Sequence, residues 1–112
     1  MRSGVPPDNC DGMIEQDVPL RNSKGTGFVI PLGPVSLVAV VTEIGLVGCG
    51  AFDVAALNSF GYPAARVKGA GGAPIATIGD LLSGVVREAN SAAEQFGVTP
   101  GITGREALDL LS

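Results

Sequence analysis

Residues 46–58 read LVGCGAFDVAALN. A short apolar run, a Gly-Cys-Gly hinge and then apolar residues at helical spacing describe a strand that turns directly into a helix. After the turn Gly61-Tyr62-Pro63 comes a second extended stretch, PAARVKG at 63–69. If both strands share a sheet, strand, helix, strand in that order is a right-handed parallel crossover. The rest of the chain is read outward from this unit.

Upstream, FVIPL (28–32) and VSLVAVVTE (35–43) are two strands joined through Leu32-Gly33-Pro34, a short hairpin connection. Pro31 cannot donate to a ladder, which sends it to an edge or an outward-facing position. RNSKGTG (21–27) is a turn by composition, and MIEQDVPL (13–20) is an extended segment. Residues 1–12, rich in Pro, Gly, Asp and Asn, are expected to form a flexible arm ahead of a single domain over 13–112.

Downstream, Ile78, Leu81, Leu82, Val85, Ala89, Ala92 and Phe96 share one helical face. Their spacing predicts one helix from Thr77 to Phe96, opened by the box-like Thr77-Ile-Gly-Asp80 and stopped by Gly97. A last helix opens at Thr103, where Thr103-Gly-Arg-Glu106 is a capping box, and Leu108 and Leu111 form its apolar stripe. The expected class is α+β, a small mixed sheet of four strands with two to three helices on one face.

Composition then bears on assembly. Of 112 residues 46% are hydrophobic and only 16% charged, so few charges are present to cover a small sphere. In the strand around residues 36–41, Leu37, Ala39 and Val41 point one way and Val38 and Val40 the other, which makes both faces apolar. Helices enough for one face leave the second to be covered by another subunit, so a dimer or tetramer joined through sheet faces is expected.

Other partners are disfavoured. A net charge of −4, with seven Lys and Arg spread singly, gives no basic stripe for nucleic acid. The weakly charged stretch 28–52 is cut by Pro31, Gly33, Pro34, Gly45, Gly48 and Gly50 into pieces well short of the ~20 residues that span a bilayer. MRSGVPPDNCDG lacks the apolar centre of a signal peptide, and a soluble cytoplasmic protein is expected.

The chain has no histidine, and Cys10 and Cys49 form no Cys-x-x-Cys pair, so neither metal, disulfide nor cofactor is indicated. Acidic neighbours make Cys10 a poor nucleophile. Asp8, Asp11, Glu15 and Asp17 lack the spacing of a calcium loop. The hinge places Cys49 where backbone N–H groups activate a thiol or hold an anion. The bland alternative is a buried cysteine in a tight turn, with Asp53 capping its own helix. Asp53 also stands where a dinucleotide loop has its third glycine.

KGAGGAP (68–74) is a second glycine-rich junction, and not a Walker loop, since its lysine precedes the glycines. If the two strands are parallel, both junctions open at the carboxyl edge of the sheet, where α/β sheets bind ligands. Arg66 and Lys68, two residues apart, share a face and bring positive charge there. Two functions from different classes follow. The first is a non-enzymatic module binding a small anionic ligand or a partner at this edge. The alternative is a thiol-dependent enzyme or redox sensor using Cys49, which the missing histidine weakens.

CGAFDVAALN, ARVKG, ATIGDLL and GITGREALDLL, in this order, resemble the YunC-like family of bacteria and archaea, domain of unknown function 1805. The resemblance runs from Met13 to the C-terminus. It implies a small α+β domain whose N-terminal β-hairpin region mediates tetramerisation, and it brings no activity. Residues 1–12 and GAGGAP depart from the family's shorter pattern. Positions matching the family's motifs are Cys49, Gly50, Asp53, Asn58, Arg66, Thr103, Gly104, Arg105 and Glu106. With these, the ligand-binding candidates are Cys49, Gly50, Ala51, Asp53, Asn58, Arg66, Lys68, Thr77 and Arg105.

Overall fold

Six strands hydrogen-bond side by side in the order in which the chain makes them. The computed structural model describes residues 13–112, so the expectations for the arm and for Cys10 lie outside the described residues. The strands are β1 (Ile14–Pro19), β2 (Lys24–Pro31), β3 (Ser36–Val41), β4 (Leu46–Gly48), β5 (Ala64–Lys68) and β6 (Val85–Ala89). Only β4 and β5 pair in parallel, and α1 (Val54–Asn58) is the crossover between them. Three further short helices follow: α2 (Ile78–Ser83), α3 (Ser91–Glu94) and α4 (Gly104–Leu110). The expected α+β class with a mixed sheet is the class observed.

Strand alternation builds the core. Val38, Val40, Val47, Ala65, Val67 and Val86 share a cluster with Ile78 and Leu81 of α2, Ala93 of α3, and Ala107, Leu108 and Leu111 at α4. Their neighbours Leu46 and Ala64 join a smaller cluster on the opposite side, with Val54, Phe52, Leu57 and Tyr62 around α1. The larger helical layer thus covers one face as expected, while α1 lies on the other. Gly27 of β2 makes room for α2, since a Cβ there would sit 2.5 Å from Ile78 Cδ1.

The expected helix over 77–96 is corrected. The chain leaves α2 after Ser83, runs as β6 and re-enters a helix only at Ser91. Pairing with the otherwise open edge of β5 outweighs the helical spacing of the apolar residues, and the β-branched pair Val85-Val86 suits a strand. The outer edge of β6 is covered in turn, with Val86 N–H donating to Ile102 O at 2.8 Å and Gly101 N–H to Val86 O at 2.9 Å. The sheet therefore has six strands, not four. The turn expected over 21–27 is also shorter, since Leu20 N–H donates to Ser23 O at 2.8 Å and β2 starts at Lys24. Pro31 ends β2 in an exposed position.

Both capping boxes form, Thr77 with Asp80 and Thr103 with Glu106. The Ala76 N–H, and after it the Thr77 side chain, hold the Asp80 carboxyl below its ordinary value of 3.8. Asn90 is buried and uses its whole side chain. Its Oδ1 accepts from Ala64 N–H at 3.2 Å and from Ala93 N–H at 2.9 Å, and its Nδ2 donates to Val54 O and Tyr62 O, both at 2.9 Å.

Asn90→Ala strips four backbone groups of a partner and is expected to cost roughly 3–5 kcal/mol in urea unfolding. Thr77→Ala removes the N-cap of α2 and is expected to cost about 1 kcal/mol. Because the folded state depresses the Asp80 carboxyl, its contribution is present above the ordinary value of 3.8 and is lost as pH falls through the lower folded value. Acid titration of wild type against Asp80→Asn is expected to show the variant losing less stability in that window.

Candidate functional site

The two strands of the crossover end at different kinds of loop. β4 gives out at Gly48, over which the Phe52 ring lies, and a Cβ there would fall 2.4 Å from that ring. Only glycine lets the hinge close this tightly. Phe52 N–H donates to Cys49 O at 3.2 Å to complete the turn, and Cys49 N–H donates to Val38 O at 2.9 Å. Cys49 is 7% exposed. β5 runs out at Lys68 into the 3₁₀ turn Ala70–Gly72.

Between these loops lies a hollow of about 280 Å³. Cys49, Gly50 and Val67 line it together with Arg66, Lys68, Arg87 and the loop from Ala73 to Ile75. A second hollow, of about 320 Å³, is lined by Gly50 to Val54, Arg66 and Glu88. Gly50 and Arg66 belong to both. Arg66 Nε donates to Glu88 Oε1 at 2.7 Å across the β5–β6 pair, and both side chains are over a third exposed, so solvent screens the pair to a modest energy.

A β-bulge lies in the same pair. Arg66 faces Glu88 while the next residue, Val67, faces Val86, leaving Arg87 as the extra residue. Bulges redirect side chains, and Arg87 is on the wall of the first hollow. Three cations thus meet there, and among the described residues no carboxylate lines it. The second hollow has the opposite character, with Asp53 and Glu88 in its wall.

The candidates separate on this geometry. Cys49, Gly50, Arg66 and Lys68 come together at the first hollow, and Ala51 and Asp53 join Gly50 and Arg66 at the second. Asp53 Oδ1 accepts from Ala56 N–H at 2.9 Å and caps α1. Asn58 Oδ1 accepts from Ala92 N–H at 3.1 Å and ties α1 to α3. Thr77 caps α2, and Arg105 on α4 lies 3.9 Å from Asp109; neither lines either of these two hollows. Thr103, Gly104 and Glu106 serve the start of α4.

Arg87 and Glu88 are not among the sequence candidates, because the helical spacing of the apolar residues around VVREA hides a strand. Read as a strand beside ARVKG, it offers an Arg and a Glu to the Arg66 edge. Among the described residues no group of three or more Cys, Asp or Glu is placed to hold a metal ion. No helix among them is long and apolar enough to cross a membrane.

A family model described as a domain of unknown function, DUF1805, matches residues 48–111. The chain belongs to the DUF1805 family. The match begins at the hinge glycine, so it takes in both hollows and leaves β1 to β3 ahead of it. The DUF1805 chain is 36% identical over 87 residues to the uncharacterized protein YunC of Bacillus subtilis (strain 168), covering 74% of this chain and 81% of that protein. Its fold is similar to the crystal structure of a protein of unknown function, TA1206, from Thermoplasma acidophilum, with a TM-score of 0.79 and 28% identity over 89% of this chain and 93% of that one. The YunC-like resemblance carried by the motifs is the family found.

Cys49 is nearly enclosed, so in Cys10→Ser protein its alkylation by iodoacetamide is expected to be slow under native conditions and fast in denaturant. Cys49→Ala is expected to cost about 1 kcal/mol through the small void it leaves. Native-state alkylation as fast as that of the unfolded chain contradicts the enclosed geometry.

Proposed function

We propose that the protein is a homo-oligomeric binding module that takes a small anionic ligand at the carboxyl edge of β4 and β5 and performs no covalent chemistry on it. The observation that carries this reading is the convergence of Arg66, Lys68 and Arg87 on one hollow of an acidic protein. Carboxyl edges of parallel strands are where open sheets receive ligands, because loops there leave backbone groups free to turn toward a guest. A thiol enzyme or redox sensor is the second reading, favoured by the position of Cys49 in the wall of the same hollow. The absence of histidine from the sequence weighs against it, since thiol catalysis needs a base within reach. A cytoplasmic location belongs to the proposal, in keeping with cysteines spaced for no disulfide framework.

The oligomer rests on exposed apolar side chains. Met13, Ile14, Ile30, Leu32 and Val35 are all exposed around the far end of the β2–β3 hairpin. Val38 and Val40 are fully enclosed by the chain's own helices, so the face that a second subunit would cover is the one bearing Leu37 and Val41. A dimer or tetramer built on that face fits the apolar composition.

A thermal-shift screen of anionic metabolites tests the ligand. A binder at ten times its Kd is expected to raise Tm by about 5 °C or more. If no anion stabilises the fold while Cys49→Ala abolishes some measured turnover, the second reading replaces the first. Native mass spectrometry tests assembly. Leu37→Asp is expected to yield monomer, whereas Val38→Asp, a charge in the core, is expected to unfold the chain. A wild-type monomer at micromolar concentration overturns the oligomer.

A further inference from the structure

We infer that the first hollow is built for a compact dianion, a small phosphate monoester, with Lys68 and Arg87 as the two residues that grip it. The inference rests on the anion-binding reading above and names the ligand class. It begins with charge counting. Three cations line the hollow, and Arg66 already donates to Glu88 at 2.7 Å. Lys68 and Arg87 form no ion pair among the described residues, which leaves two positive charges uncompensated. A phosphate monoester carries about −1.5 to −2 at pH 7 and matches that excess.

The charge is also segregated. The protein has eleven acidic against seven basic residues, yet three of the seven basic ones meet at a cavity with no acid in its wall. Keeping like charges together without a counter-ion costs electrostatic energy that a bound anion recovers. The β6 bulge adds a local device, because it spends an unpaired residue to bring Arg87 to this wall.

Shape narrows the class further. Arginine meets an oxoanion through a planar fork and lysine as a point charge, so both fit one tetrahedral group better than two separated carboxylates. Away from the cations the wall includes Val67, Ile75 and the nearly enclosed Cys49, which suits a short carbon body. The hollow, about 280 Å³ and open to solvent on one side, has room for an ester of three or four carbons.

Isothermal titration calorimetry on the full chain, at fixed pH and moderate salt, tests this with glycerol 3-phosphate, inorganic phosphate, succinate and glycerol. Glycerol 3-phosphate is expected to bind, inorganic phosphate more weakly, and succinate and glycerol each at least tenfold more weakly than the ester. Arg87→Ala and Lys68→Met are each expected to weaken glycerol 3-phosphate at least tenfold. Both side chains are exposed, and unchanged circular dichroism confirms folding. Succinate binding as tightly as the ester, or Arg87→Ala within twofold of wild type, overturns the phosphate-ester inference while leaving an anion site in place. Binding of none of the anions overturns both.

Discussion

Four hydrogen bonds to the Asn90 amide join β5, α1, the turn after it and α3 at one buried point. One amide reaches the start of β5 at Ala64, the first residue of α1 at Val54, the turn at Tyr62 and the first turn of α3 at Ala93. Each of those groups is near-buried backbone that has no water to fall back on, so the side chain replaces solvent for all of them at once. The result is a fixed starting point for β5. From that point the strand runs five residues, and its register against β4 and β6 decides where Arg66 and Lys68 emerge. The hollow at one end of β5 is therefore aimed from the other end.

Much of this architecture can be read in the residues themselves. The hinge at 46–58, the two capping boxes and the hairpin on either side of Gly33 are patterns set by residues close to one another along the chain. Those features form as the sequence implies. β6 is different, because Ile78, Leu81, Leu82, Val85 and Ala89 carry helical spacing and only the open edge of β5, reached through a connection of sixteen residues from Lys68 to Val85, makes the strand preferable. Arg87 and Glu88 do not stand out in the sequence, since the place of a bulged residue depends on a register that no single segment contains. Asn90 is hidden for the same reason, because its four partners lie in other segments of the chain or across a helix start.

The candidate list shows a second reason for partial legibility. Asp53, Thr77, Thr103 and Glu106 stand out in the sequence because polar residues at those spacings are unusual beside apolar runs, yet each is engaged by the backbone of its own helix. Motif prominence there reflects helix ends. Arg66 and Lys68 had weaker local signals, and the parallel pairing of β4 and β5 is what made them neighbours of Cys49 and Gly50. The position of a cation relative to the sheet edge proved more informative than its membership in a motif.

Thr42, at the end of β3, donates its hydroxyl to Leu111 O at 2.9 Å, a contact that spans 69 residues. Leu108 and Leu111 also complete the layer over Val38 and Val40. During synthesis the hairpin emerges before the helices that cover it, and the layer over Val38 and Val40 is completed only when α4 follows α2. At roughly 5–20 residues per second the chain spends several seconds in that state. An apolar, strand-rich hairpin left incompletely covered is the kind of surface that pairs with other chains, so the late position of α4 makes the closing of this layer a step that competes with aggregation.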